Sequence, residues 1–149
     1  MGFPDRIERT IDLPHPPERV WAALTTADGL GTWFGNTATV DLRVGGLIEL
    51  AWDSGDTAAL TIERLEPTTA VGWTWGLSGL PDGDPRRTYV EVTLEPRGSG
   101  TLLSMVESGF AQVSGAGHDK AYGGNTDGWT HELGELVAYL AAQVADARA

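Results

Sequence analysis

The chain has 149 residues, 41% apolar and 21% charged, the make-up of one globular domain with room for a real core. Its formal net charge of −11 works against nucleic acid and anionic lipid surfaces, which need a basic footprint. With no cysteine there is no disulfide, thiolate metal site or cysteine nucleophile, and no run approaches the ~18 apolar residues of a membrane span. The start, MGFPDRIERTIDL, lacks a basic stretch followed by an apolar one, so no signal peptide is visible and a cytoplasmic location is expected.

From Asp5 to Leu13 the chain alternates, with Ile7, Arg9, Ile11 and Leu13 on one face, which predicts a half-buried strand. His15-Pro16-Pro17 ends it, and Pro17 suits the first turn of a helix running to about Thr25, with Val20, Trp21 and Leu24 inward. Trp21 is expected to belong wholly to the core. Ala27–Gly35 reads as a second short helix carrying Leu30, Trp33 and Phe34 and stopped by glycine.

Beyond it the period changes to that of strands. Thr37–Val44 places Ala38, Val40, Leu42 and Val44 on one face, and Gly45-Gly46 signals a tight hairpin into Leu47–Trp52. Further strands are expected at Ala58–Glu66 and Ala70–Leu77 and, after the longer loop SGLPDGDP, at Arg87–Leu94 and Thr101–Phe110. The segment Ala111–Gly124 is rich in Gly, Ser and Ala without apolar period, and reads as a lid or a poorly formed first turn of the last helix.

That helix is the longest element, Asn125–Ala145, with Trp129, Leu133, Leu136, Val137, Leu140 and Val144 in one stripe and Asn125 or Thr126 as its cap. A lone amphipathic helix must lay its stripe on a sheet. The order is therefore β-α-α-β6-α, an α+β domain with an antiparallel sheet curved around the final helix.

Chemical motifs are few. His15, His118 and His131 show no metal-ligand spacing, and all three read as surface or structural residues. No phosphate loop, dinucleotide fingerprint or nucleophile elbow occurs. No metal, no cofactor and no catalytic set is expected.

The succession PPERVWAALTTADGLGTWF, VGGLIEL, ERLEP, VGWTW, YVEVTLEPRGSGTLLSMVESGF and GWTHELGELVAYL resembles the SRPBCC (START-like) superfamily over nearly the whole chain. Within it, the match is to the branch named for the C-terminal domain of the heat-shock-protein-90 ATPase activator. The resemblance implies one helix-grip domain (START-like, Bet v 1-like), a seven-stranded antiparallel sheet curled around a long C-terminal helix. It also implies an apolar cavity between sheet and helix. Members include lipid carriers, polyketide cyclases, co-chaperones and a self-sacrificing resistance protein, so fold does not fix function.

Against that frame the six tryptophans matter. Trp73 and Trp75 share one strand face, Trp52 ends a strand, Trp33 and Phe34 border the implied cavity mouth, and Trp129 opens the final helix. They can line a pocket for a flat ligand or simply fill the core. Leu103, Met105 and Glu107 share one face of the last strand, so Glu107 either projects a carboxyl group with a raised pKa into the cavity or reaches solvent or a basic residue at the strand end. Because pattern fixes strand ends poorly, the second is the expectation.

The expected ligand walls are Trp33, Phe34, Trp52, Trp73, Trp75, Met105, Glu107, Phe110, Trp129 and Leu133. The partner they imply is a hydrophobic or aromatic small molecule, lipid- or polyketide-like, with no nucleic acid and no membrane. The alternatives are a co-chaperone-like module that docks a protein or a second copy, a cyclase-type enzyme using Glu107 or Tyr122, or a self-sacrifice resistance protein. A binding protein is expected ahead of an enzyme.

Overall fold

The computed structural model describes residues 5–76, 85–112 and 115–148. Seven strands form one sheet in the order β1-β7-β6-β5-β4-β3-β2, every neighbouring pair antiparallel. They are β1 (Arg6–Leu13), β2 (Thr37–Val40), β3 (Leu47–Ala51), β4 (Thr57–Glu66), β5 (Ala70–Gly76), β6 (Arg87–Arg97) and β7 (Gly100–Ser108). The short helices α1 (Pro17–Thr25) and α2 (Ala27–Trp33) carry the chain from one sheet edge to the other, and a single 3-10 turn at Phe110–Gln112 leads into α3 (Gly115–Arg148). This is the helix-grip fold, with a long C-terminal helix held in a curved antiparallel sheet.

Alternation decides which face of each strand is covered. On β1 Ile7 and Leu13 are buried, and on β7 Leu103, Met105 and Glu107 alternate with half-buried residues. These side chains join Leu133, Leu136 and Leu140 of α3 in one core. A register shift between Ile62 and Arg64 adds a bulge to β4, which sharpens the local bend of the sheet. No helix of the described residues is long and apolar enough to cross a membrane.

The two short helices are joined with little slack. Pro17 starts α1, and Thr26 ends it while its Oγ1 accepts the Gly29 N–H at 3.0 Å to cap α2. A Cβ on Gly29 would lie 2.7 Å from the Ala23 carbonyl oxygen and 2.8 Å from the Ala23 Cα. Gly29→Ala is therefore expected to push α2 off α1 and cost about 1–3 kcal/mol, read as a shift in the urea midpoint at constant slope. An unshifted midpoint would mean the helices part freely.

Several expectations need correction. The strand predicted over Thr37–Val44 ends at Val40, leaving Leu42 and Val44 exposed. The reversal spans Asp41–Gly46: the Asp41 N–H meets the Leu47 carbonyl at 3.0 Å and Gly46 N–H the Arg43 carbonyl at 2.9 Å. Gly45 has φ of +84°, and a Cβ on Gly46 would sit 2.1 Å from the Asp41 oxygen, so both glycines serve a wider turn than a two-residue hairpin. Strand β7 stops at Ser108 because Gly109, at φ +110°, turns the chain.

The final helix begins at Gly115, ten residues before the expected start, and Asn125 and Thr126 are interior residues instead of caps. The burial of His118 and Ala121 anchors this first part, and packing overrides weak glycine and serine propensity. Val137, expected in the stripe, is 39% exposed, and Trp21 is only partly buried. The loop SGLPDGDP lies outside the described residues except for Pro85, as does the side chain of Val144.

Candidate functional site

The only charged side chain among the buried residues described, Glu107, is fully covered. Its place follows from the register. Glu107 pairs with Val90 on β6 and Ile7 on β1, so its side chain points with theirs into the space under α3. Oε1 accepts the Trp129 indole N–H at 2.8 Å and one Asn125 Nδ2 contact at 3.0 Å. Oε2 accepts Trp75 Nε1–H at 2.7 Å, Asn125 Nδ2–H at 2.9 Å and the Thr88 hydroxyl.

Four side chains from β5, β6 and α3 thus converge on one carboxylate, and among the described residues all are neutral donors. The expected strand-end carboxylate that reaches solvent or a basic group is not what forms. With its lone pairs taken, Glu107 holds three elements together and has no vacant acceptor position.

Around it stand the aromatic rings. The Phe34 centroid lies 5.0 Å from that of Trp33, 6.3 Å from Trp52, 5.9 Å from Trp75 and 5.9 Å from Trp129. Trp75 is 5.8 Å from Trp129 and 5.9 Å from Trp73. Most of these pairs are edge-on, as the ring quadrupole prefers. Trp33 Nε1–H donates to the Ala23 carbonyl at 2.7 Å, and Trp52 Nε1–H to the Phe34 carbonyl at 2.9 Å. Trp52 and Trp75 are partly exposed, and the other four rings are buried.

Seven of the residues expected from the sequence therefore meet: Trp33, Phe34, Trp52, Trp73, Trp75, Glu107 and Trp129. Met105 and Leu133 are buried in the adjoining core. Phe110 is placed elsewhere: its ring packs edge-on against Tyr122 at 5.3 Å, and Tyr122 stacks on buried His118 at 5.4 Å. Tyr122 is tied by its hydroxyl, which donates to the Arg6 carbonyl at 3.1 Å.

Thr88 and Asn125 were not expected. Both had a signal: Thr88 pairs with Trp75 across the sheet, and Asn125 stands one helical turn before Trp129. A separate depression of about 340 Å³ over β2–β4, lined by Thr37, Ala38, Leu50, Ala51 and Ala58 among others, shares no residue with the ring group. Among the described residues no His, Asp and Glu cluster could hold a metal ion.

An acid on α3 is perturbed. Burial pushes Glu132 up to about 7, against an opposing effect of His131 and with a smaller contribution from Glu135. Its Oε2 is covered and has no hydrogen-bond partner among the described residues. A carboxyl whose folded pKa is raised adds stability below about pH 4.5, and that stability is lost as pH rises toward about 7. Since Glu132 is only partly buried, screening reduces the effect to about 1 kcal/mol. Glu132→Gln is expected to stabilise the domain by that amount at pH 8 and much less at pH 5, in urea titrations at both values. An equal effect at both would remove the assignment.

Comparison with known proteins places the molecule. The family of activator of Hsp90 ATPase homolog 1-like proteins matches residues 14–141. The chain belongs to that family. Among solved structures it is similar to protein MLL2253 from Mesorhizobium loti, with 28% identity over 93% of this chain and 97% of that one and a TM-score of 0.77. CalU16 from Micromonospora echinospora has 26% identity over 91% of this chain and 73% of that one, with a TM-score of 0.71. The Aha1 dimer from Colwellia psychrerythraea, at 23% identity, 91% and 95% coverage and a TM-score of 0.73, shares the fold. No functionally curated protein matches.

Proposed function

We infer that this family member is a cytoplasmic binding protein for a flat apolar small molecule, lipid- or polyketide-like, held between α3 and the sheet where the rings surround Glu107. The observation that carries the reading is the carboxylate itself. Burying such a group among apolar rings, with neutral partners only, costs free energy that an all-apolar core would not. Aromatic walls with a few converging polar groups are the ordinary make-up of a ligand site. Trp52 and Trp75, the two partly exposed rings, mark the side of entry.

Glu107 then acts on the wall and not on the ligand: it fixes the two indoles and Asn125, with no acceptor position left for acid–base turnover. Since the rings already touch, a ligand must displace some of them, and Trp52, partly exposed and outside the hydrogen bonds to Glu107, is the least confined. Tryptophan emission titrated with planar aromatic compounds and fatty acids is expected to show saturable quenching, with micromolar binding of about −8 kcal/mol. Silence toward every compound in a folded sample would end this reading.

A second reading is a docking module for another copy of the chain. It is favoured by Leu42, Val44 and Leu47, exposed by 44%, 60% and 44% at one corner of the sheet. The name of the Colwellia relative describes a dimer. Light scattering is expected to show a concentration-dependent dimer that Val44→Asp abolishes; a monomer throughout would discard it.

A further inference from the structure

Trp73 carries a buried polar atom with no partner among the described residues. Its side chain is 3% exposed, and its Nε1–H meets no acceptor. The other three tryptophans at the heart of the ring group, Trp33, Trp75 and Trp129, all donate their N–H at 2.7–2.8 Å. An indole N–H left without an acceptor in the interior is costly and asks for an occupant.

The surroundings narrow what that occupant is. Across the sheet Trp73 pairs with Ile62 and Val90, both fully buried, and Val71 stands two residues away on the same strand face. A trapped water needs two to four polar partners, and these neighbours offer none. A ligand hydroxyl would accept this N–H but then needs an acceptor for its own proton, and the nearby carboxylate of Glu107 is saturated. A carbonyl oxygen needs only the donor. The ring of Trp75, edge-on at 5.9 Å, leaves a flat aromatic body as the natural companion.

We propose that the ligand of the ring site is a planar aromatic ketone whose carbonyl oxygen accepts the Trp73 Nε1–H. This rests on the ligand reading given above and adds the chemical class. Fluorene and fluorenone are the test, since they share a flat tricyclic frame and differ by one carbonyl. Binding of each is followed in a ¹H–¹⁵N spectrum of the indole N–H groups, with the Trp73 signal assigned from Trp73→Phe.

Fluorenone is expected to move the Trp73 N–H signal downfield, slow its exchange with solvent and bind about tenfold more tightly than fluorene. Trp73→Phe is expected to bring the two affinities together. Equal binding of both compounds with the Trp73 signal unmoved overturns the carbonyl assignment and leaves the ligand reading intact; it is also the result expected if the N–H rests on the face of Trp75. Binding of neither compound overturns the ligand reading and this assignment with it. Where Trp73→Phe does not fold, the affinity ratio and the shift pattern in the unaltered protein decide.

Discussion

Glu107→Leu is expected to lower folding stability by about 4 kcal/mol, because it strands two indole N–H groups that cannot turn elsewhere, at about 1–3 kcal/mol each. Trp75 and Trp129 are wedged among rings, so neither can follow a lost acceptor. Thr88 and Asn125 add less, since a hydroxyl rotates and an amide has a second end. Glu107→Gln isolates the role of the second oxygen. Its amide nitrogen can donate to Thr88, whose hydroxyl then serves as acceptor, but it must face the N–H of Trp75 or of Trp129. One indole is left unpaired, and about 2 kcal/mol is expected.

Thr88→Val removes a single donor from a carboxylate that keeps three others, and should cost about 1 kcal/mol. The order Leu over Gln over Val, measured as urea midpoints at constant slope, is the signature of a many-donor acceptor. A glutamine variant as stable as the parent would show that the site needs only the shape of the side chain. The same variants bear on function: if Glu107 positions the wall, Glu107→Gln weakens ligand binding in step with the disorder of Trp75 and Trp129.

Much of this fold could be read before the structure. Where one strand face is buried, alternation leaves a clear trace, and Ile7, Leu13, Leu103 and Met105 all fell where the period of two placed them. The same rule failed at Leu42 and Val44, since apolar alternation cannot report that Asp41 and Leu47 close the ladder four residues earlier. The start of α3 was missed for a different reason. Gly123, Gly124 and Gly128 weaken helix propensity, while the burial of Ala121 and His118 that holds this part in place depends on distant strands.

The site shows the same division. The shared face of Trp73 and Trp75 is a local fact and was legible. That Thr88 and Asn125 complete the carboxylate's partners depends on strand register and on the rotation of α3, neither of which local pattern supplies. Glu107 was expected to reach solvent or a basic residue at the strand end, yet it pairs with Ile7 and Val90 within the sheet and is met from α3 by Asn125 and Trp129.

Phe34→Ala is expected to cost about 3–5 kcal/mol, the range for removing a buried aromatic ring with incomplete collapse of the site. Phe34 is 6% exposed and stands between Trp33, Trp52, Trp75 and Trp129, so its loss removes four ring contacts that each add about 0.5–1.5 kcal/mol beyond area when well oriented. Its backbone carbonyl still accepts Trp52 Nε1–H, so the damage is confined to packing. Phe34→Leu, which keeps much of the volume, should cost less than half as much. Near-ultraviolet circular dichroism should lose intensity in the alanine variant, since the tryptophans would no longer be held edge to face. The size of the loss also separates the two states in which the interior can exist. A cost near 4 kcal/mol means the rings support one another and a ligand must part them, so binding is slow and the alanine variant, with its new space, takes up small aromatics faster. A cost below about 1 kcal/mol would mean Phe34 lies against open space, and the chamber would then accept a ligand without rearrangement.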